Sequence, residues 1–246
     1  MPNLSSHSVA LSGQFWRSTV EQEHPLGARG EAPDGRVYRY CKAAATLVAG
    51  NCIQSAAAIP DHIATVMTAA AVGATSITFT PGGTGGAADL YAGGYLASDT
   101  TPGHGITYTV EGHAAITAST AFTLRLHPND PIKVAIATGS RLSLIHNLYK
   151  NVIQFPVTTA TGSLVGVAPY AITSGEYGWL QTRGLASVLT TGTPALGAMV
   201  MIPGSVAGSC QVVVAAGTLI VAQIVGHMAQ VGQDGKTCWV RLTISD

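Results

Sequence analysis

The sequence contains little charge. Only 10% of its 246 residues are Asp, Glu, Lys or Arg, and the 12 basic and 12 acidic side chains cancel, whereas about 25% is usual in a globular domain. A surface with few charges and no net charge does little to keep copies of a protein apart. The composition therefore favours a chain that works inside an assembly. The alternative is a compact β protein with a Ser, Thr and Gly surface.

Three kinds of segment are absent as well. Nucleic acid binding requires a surplus of Lys and Arg, and no basic cluster occurs, so we expect no nucleic acid partner. The longest apolar runs, such as residues 219–231, are interrupted by Gln and His and fall short of the ~20 residues that span a bilayer, so we expect no membrane contact. The N-terminus lacks both a basic start and an apolar core, which predicts no secretory signal.

Closely spaced cysteine pairs, as found in zinc sites, are also missing. The four cysteines are Cys41, Cys52, Cys210 and Cys238. We expect them to be small buried apolar residues. A Cys41–Cys52 disulfide between neighbouring strands remains an alternative.

Catalytic signatures are absent too: there is no G-x-S-x-G, no H-E-x-x-H and no P-loop. Gly83, Gly85 and Ala88 satisfy a loose G-x-G-x-x-A pattern. Because a strand-like segment follows where a nucleotide site needs a helix, we interpret this stretch as a flexible hairpin tip. His104, His113 and His127 match no ligand spacing, so the first two are expected to be solvated loop residues.

A carboxylate pair is the remaining enzymatic option. Glu111 with Asp99 or Asp130 could serve glycoside hydrolysis, but spacing in the sequence does not supply the separation that this chemistry needs. We predict a protein that is not an enzyme and that has no cofactor and no metal.

What the sequence does have is the two-residue period of half-buried strands. Four segments show it: 106–111, 122–126, 132–136 and 238–244. Asp234-Gly235 precedes the last one and predicts a C-terminal hairpin. The one helical pattern is 60–71, where Ile63, Val66 and Met67 have i, i+3, i+4 spacing and Pro60 suits a first turn.

The predicted fold class is therefore all-β with at most one short helix. Frequent Gly and Pro favour a β-sandwich or barrel-like body, or two small β subdomains. We predict an extended N-terminal arm over 1–35 and subdomains over 36–140 and 141–246. The arm holds many of the charges and also Phe15, Trp16 and Arg17. Such aromatic residues suggest that it docks on a partner, or else that it packs on its own domain.

The stretch "GEYGWLQTRGLASVLTTG", residues 175–192, combines aromatic residues with an arginine. It predicts a strand, a corner at Arg183-Gly184, and a second strand. Trp179 is either a core residue or an interface residue. Arg183 is equally open to both interpretations, because aromatic residues and arginine are enriched at subunit interfaces.

Five segments resemble virion structural proteins of tailed bacteriophages. The Tyr-Gly-Trp-Leu-Gln-Thr-x-Gly run and the glycines after it are similar to those of capsid decoration (cement) proteins. The resemblance covers roughly residues 36–244, in the segments "RVYRYCKAAATLVAGNCIQ", "AVGATSITFTPGGTGGAADLYAGGYLASD", "DPIKVAIATGSRLSLIHNLY", "GEYGWLQTRGLASVLTTGTPALGAMVMIPGSVAG" and "VGQDGKTCWVRLTI".

This resemblance implies a β-rich protein, made in the host cytoplasm, that binds the outside of a capsid shell and reinforces contacts between capsomers. The implied partners are the major capsid protein and further copies of the chain, as a homotrimer. Phe15, Trp16, Arg17, Trp179 and Arg183 are the residues expected at the capsid or subunit interface. The alternatives are a head fibre base, a tail protein, or a β-rich carbohydrate-binding or hydrolytic protein.

Overall fold

The main chain consists of β-strands joined by turns and loops. The computed structural model describes residues 9, 10, 13–213 and 222–245. In these residues, helical structure is limited to two 3-10 turns, Gln14–Trp16 and Pro60–His62. The predicted all-β class is confirmed.

Seventeen strands occur in the described residues. In chain order they are β1 (Val9–Ala10), β2 (Arg29–Glu31), β3 (Val37–Lys42), β4 (Cys52–Gln54), β5 (Thr65–Val66), β6 (Ser76–Phe79), β7 (Tyr95–Ser98), β8 (Thr107–His113), β9 (Phe122–Leu126), β10 (Arg141–Ile145), β11 (Ile153–Gln154), β12 (Leu164–Val167), β13 (Tyr177–Thr190), β14 (Met199–Ile202), β15 (Gln211–Val212), β16 (Gln223–Met228) and β17 (Lys236–Thr243).

The chain forms two compact units, and the sequence of unit 2 interrupts that of unit 1. Unit 1 takes the described residues of Met1–Ala56 and Leu148–Asp246, and unit 2 is Ala57–Asn147. This division differs from consecutive subdomains over 36–140 and 141–246. The reason is non-local pairing: β3 pairs with β13, and β4 pairs with β11 and β12, so the start of the first predicted subdomain belongs with the C-terminal half.

The sheet of unit 1 is organised around β13. Its path is β1-β2-β3-β13-β17-β16-β14-β15, and β12 pairs with both β13 and β4. The first half of β13 pairs with β3 and the second half with β17. A bulge between Gln181 and Arg183 separates the halves, and Gly184 there has φ +89°. This is the corner that the sequence predicts, since a positive φ is easily adopted only by glycine.

In unit 2, the two outermost strands of the sheet are bonded to each other. The path is β5-β10-β7-β8-β9-β6. Directly after β5, Met67 bridges Phe79 of β6, and Thr68 donates its N–H to the carbonyl of Thr78 at 2.9 Å. The sheet therefore curls until its first and last strands meet, around a core that includes Met67, Phe79, Leu96, Tyr108, Leu124 and Leu142.

Two of the four predicted alternating segments match strands closely. In β9, Phe122, Leu124 and Leu126 are buried while the residues between them are exposed, and β17 shows the same pattern. The segment 106–111 falls largely within β8. The C-terminal hairpin is also present, because β16 and β17 are antiparallel neighbours with a turn at Asp234-Gly235 before β17.

Two local predictions are wrong. The segment 60–71 is not a helix, because after the turn at Pro60–His62 the chain extends into β5. Ala64 has φ +52°, which is incompatible with a right-handed helix. The segment 132–136 keeps its alternating burial but is not a strand, since within it only Ile136 forms a bridge, to Ala70.

The described part of the predicted arm packs on unit 1. β2 pairs with β3, Thr19 forms a bridge with Tyr177, and the Phe15 ring stacks on Tyr38 at 4.7 Å between centroids. Residues 13–35 therefore form a terminus packed on its own unit, the second of the two alternatives. Residues 1–8, 11 and 12 of the predicted arm lie outside the described residues.

All four cysteines are free and buried, so Cys41 and Cys52 do not form a disulfide. Burial raises the pKa of Cys41, and it raises that of Cys210 to about 12. Because the thiolate is the reactive form, we expect no thiol of the native protein to react with an aromatic disulfide reagent at pH 8 within minutes. All four should react in denaturant. A Ser187→Cys variant provides the labelling control, because Ser187 is exposed on β13. Rapid labelling of the unchanged native protein would contradict the burial of its four cysteines.

Candidate interaction surface

One face of the unit 1 sheet exposes large apolar side chains. In β17, Cys238, Val240 and Leu242 point into the core, so Trp239 and Arg241 point outward. We call the outward side of β13, β17, β16 and β14 the outer face. It includes Arg183, Leu185, Ser187, Met199, His227, Trp239, Arg241 and Thr243.

The strand register aligns these side chains in rows. Leu185 lies opposite Arg241, Arg241 opposite His227, and His227 opposite Met199, which makes one row across four strands. Trp239 is two residues from Arg241 on the same side of β17 and begins the next row. Directly opposite residues on one face of a sheet contact each other, so the row is a continuous surface.

The apolar members of the outer face are substantially exposed. The exposed fractions are 48% for Trp239, 45% for Leu185 and 42% for Met199. Trp, Met and Arg are enriched at the centres of protein interfaces. The composition of the outer face is therefore typical of a surface that a partner covers.

The charges on the outer face have one sign. Arg183 and Arg241 are its formal charges, and among the described residues that form it there is no carboxylate. A cleft of about 470 Å³ adjoins both arginines and is lined further by Gly35, Gly184, Leu242, Thr243, Ile244 and Ser245. The cleft thus lies where the first half of β13 turns into the second.

Of the five residues predicted at an interface, Arg183 alone lies on the outer face. Trp179 is 1% exposed and packs against Tyr40, with 5.0 Å between ring centroids, so it is a core residue of unit 1. Phe15 is buried, whereas the adjacent Trp16 is 54% exposed. Arg17 is exposed and forms an ion pair with a glutamate of the same segment at 2.8 Å.

Residues next to Trp179 in β13 stabilise the sheet that carries the outer face. Gly178 is required because a Cβ there would overlap the Tyr170 hydroxyl group. The side-chain amide of Gln181 donates hydrogen bonds to the carbonyl oxygens of Arg183 and Leu185, at 3.1 and 3.0 Å. These bonds span the bulge and hold the second half of β13 in register with β17.

The sequence alone did not identify most of the outer face. The alternation in 238–244 places Trp239 and Arg241 on the same side of a strand, and this is the feature of the sequence that points to the outer face. It does not show which strands lie beside β17. Leu185, Met199 and His227 join the surface only through pairing with β13, β14 and β16.

Unit 2 contains a second unusual cluster, of buried rings around one tyrosine. The prediction that His113 is a solvated loop residue is wrong, since it ends β8 and is 2% exposed. Its Nε2 accepts the backbone N–H of Tyr91 at 3.1 Å, so the ring is held in place by the backbone. His104 is exposed, as expected. The members of the cluster are His62, Tyr91, His113 and His146.

Hydrogen bonds at both nitrogens fix the His62 ring. Nε2 faces the carbonyl oxygen of Thr84 at 2.8 Å, and a carbonyl can only accept, so Nε2 is the donor. When Nε2 carries the single proton of the ring, Nδ1 accepts from the Tyr91 hydroxyl group at 2.5 Å. Burial raises the pKa of Tyr91, which keeps that hydroxyl protonated.

A Tyr91→Phe substitution is expected to lower the free energy of unfolding by about 1–3 kcal/mol, because Nδ1 of His62 would remain buried without its donor. Chemical denaturation measures the effect. Tyr108→Phe is the matched control, since Tyr108 is equally buried but its hydroxyl oxygen meets a backbone N–H at 3.4 Å, which is long for a hydrogen bond. Equal losses in the two variants would show that the His62 contact contributes nothing specific.

The other residues that the sequence raised as candidates also lie in unit 2. The segment with Gly83 and Gly85 joins β6 to β7, which are not paired, so it is not a hairpin tip as predicted. Turns follow it rather than a helix. Glu111 forms an ion pair with Arg125 at 3.6 Å, and Asp130 forms one with Lys133 at 2.8 Å.

Across the described ranges, no group of three or more His, Cys, Asp or Glu side chains is placed to hold a metal ion. In the same residues, no helix has the length and hydropathy needed to cross a bilayer. Comparisons with family models, with curated proteins and with solved structures found no match to this chain.

Proposed function

We propose that this protein is a non-enzymatic structural protein of a phage virion, a decoration (cement) protein that binds the outside of the capsid shell and stabilises contacts between capsomers. The outer face is the observation that carries this proposal. A monomer that functions alone has little reason to expose Trp239, Leu185 and Met199 on adjoining strands. A protein covered by a partner uses such side chains for binding.

The resemblance of residues 36–244 to decoration proteins supports the same proposal independently of the outer face. Decoration requires no covalent chemistry. It depends on surface buried at many symmetry-related copies, so that a modest free energy per contact is multiplied over the shell. A chain with little charge and many small residues suits such close packing.

Two kinds of contact follow from this role. The outer face would meet the major capsid protein. Trp16 and Arg17 are exposed on the N-terminal segment and would make a second contact, with the shell or with a neighbouring copy in a homotrimer. Phe15 would act indirectly, since its buried ring anchors the turn that carries Trp16.

The test is the copy number of this chain relative to the main shell protein in density-purified particles of the virus that encodes it. A ratio of about one to one or one to two is expected for a protein that covers the shell. A handful of copies per particle would instead assign it to a head fibre or to the tail. Absence from the particles would refute a virion role and would reopen the carbohydrate-binding or hydrolytic alternative.

A further inference from the structure

His113 holds the connection between β6 and β7, residues 80–94, to the end of β8. The backbone N–H of Tyr91 donates to Nε2 of His113 at 3.1 Å. Asp89 adds two hydrogen bonds, since its N–H donates to the carbonyl oxygen of His113 and its carboxylate accepts the N–H of His113, both at 2.9 Å. Because β6 and β7 are not paired, contacts of this kind determine where the connection lies.

The two partners of the His113 ring fix its protonation. Nδ1 faces the carbonyl oxygen of Ala114 at 2.6 Å, and a carbonyl can only accept, so Nδ1 carries a proton. Nε2 faces the backbone N–H of Tyr91, which can only donate, so Nε2 carries none. A second proton on Nε2 would point at that N–H, at a ring that is buried from water. The positive form of His113 is therefore incompatible with this contact.

The contact of His62 with Tyr91 differs in this respect. Nδ1 of His62 meets the hydroxyl group of Tyr91, which can either donate or accept, so this contact can persist when the ring gains a proton. His146 contacts the Tyr91 ring by stacking, with 4.7 Å between centroids. The backbone amide of Tyr91 has no such freedom, so protonation of His113 removes its hydrogen bond.

Two charged groups lie near the backbone of His113, and their signs are opposite. A Cβ on Gly112 would lie 2.5 Å from a carboxylate oxygen of Asp89 and 3.1 Å from a guanidinium nitrogen of Arg125, which also pairs with Glu111. The negative charge of Asp89 favours a protonated His113, whereas the positive charge of Arg125 opposes it. The two effects offset each other, so the meeting of two donors at Nε2 decides which form of His113 the fold accepts.

We infer that His113 is a pH switch that fixes the connection of residues 80–94 at neutral pH and releases it in acid. In the released state the ring is free to take up a second proton, as an ordinary histidine does below about pH 6.5. The released state then binds more protons than the fixed state, so the stability of the fixed state is complete above this pH and falls as the pH decreases below it.

The switch acts on unit 2. The histidines that are buried in the described residues are His62, His113 and His146, and all of them belong to this unit. The sheet of unit 1 is therefore expected to remain intact over the same pH range. This inference does not depend on the proposed function, because it follows from the hydrogen bonds of one ring.

Hydrogen exchange of the full-length protein, measured by mass spectrometry at pH 7.5 and pH 5.0, tests the switch. Each exchange rate is divided by the intrinsic rate of the same peptide at that pH. Uptake of one proton in the released state raises its population about 30-fold between these two pH values. The protection of residues 80–94 should therefore fall about 30-fold, whereas that of β17 in unit 1 should stay the same.

His113→Gln isolates the contribution of this histidine, because a glutamine side-chain oxygen can accept the Tyr91 N–H but does not titrate. We expect the corrected protection of 80–94 in this variant to be nearly equal at the two pH values. His104→Gln is the matched control, since His104 is an exposed histidine of the same unit, and it should retain the full decrease. An equal decrease in His113→Gln and in the unchanged protein would overturn the inference.

NMR of the unchanged protein provides a test that needs no variant. Long-range correlations between ring protons and ring nitrogens distinguish the two neutral tautomers from the positive form. We expect a proton on Nδ1 alone at pH 7.5, and the positive form only in molecules whose Tyr91 amide has lost its protection. A positive His113 beside a protected Tyr91 amide at pH 5.0 would refute the switch. Equal protection of 80–94 at both pH values in the unchanged protein would refute it as well.

Discussion

Replacing Trp179 with alanine is expected to lower the free energy of unfolding by about 3–5 kcal/mol, the usual cost of removing a large aromatic side chain from a core. Trp179 is 1% exposed and packs with Phe15, Tyr38 and Tyr40 in one cluster of unit 1. The cavity left by the indole would lie against β13, the strand that pairs with β3 in its first half and with β17 in its second half. Urea denaturation, followed by circular dichroism, measures the loss.

Trp179→Phe is the control for this prediction, because it keeps an aromatic ring in the site and should lose distinctly less stability. A loss below about 1 kcal/mol for Trp179→Ala would be typical of a surface position. It would contradict the placement of the side chain in the core and return Trp179 to the interface alternative.

Trp239→Ala is expected to have the opposite effects, a small change in stability and a large loss of binding to shells. Its side chain is 48% exposed, so the free energy of unfolding should change by less than about 0.5 kcal/mol. If the outer face meets the shell, Trp239 is its largest anchor. Interface residues of this kind contribute about 2 kcal/mol or more, which corresponds to a loss of affinity of about 30-fold. Co-sedimentation with shells that lack the protein measures this loss.

Tyr95→Ala provides a closely matched comparison, since Tyr95 is 49% exposed but lies on β7 of unit 2. It should bind shells as the unchanged protein does. Equal weakening by the two substitutions would mean that exposed aromatic residues contribute generally. The outer face would then have no special part in binding.

The sequence predicted the strands where one face is buried and the other is exposed. In 122–126 the apolar and polar residues alternate without exception, in 238–244 Trp239 is the one apolar residue at an outward position, and in both segments the core selects one register. The pattern was less informative in 60–71, because Ile63, Val66 and Met67 suit a helix or an extended chain equally well. Short apolar runs do not distinguish the two, and the positive φ of Ala64 is not visible in the sequence.

The outer face could be predicted only in part, for a different reason. Its outward residues on β17, Trp239, Arg241 and Thr243, follow from local alternation, whereas its row across four strands depends on pairing between segments far apart in the chain. Leu185 meets Arg241, and Met199 joins the same row through His227. For Trp179 and Phe15 the sequence was misleading in the opposite direction. Their residue type suggests an interface, but the packing of the N-terminal segment buries both side chains.

The pairing of the outermost strands in unit 2 limits the sheet edge that another chain could reach. An open sheet edge offers unpaired N–H and C=O groups to any other chain, and many proteins protect such edges with charged side chains. This protein has only one charged residue in ten. In unit 2, hydrogen bonds join β5 and the residues after it to the end of β6, so part of each sheet edge is paired with the other. Where the edges are paired in this way they offer no free strand edge to another chain, so topology gives the protection that charge gives elsewhere.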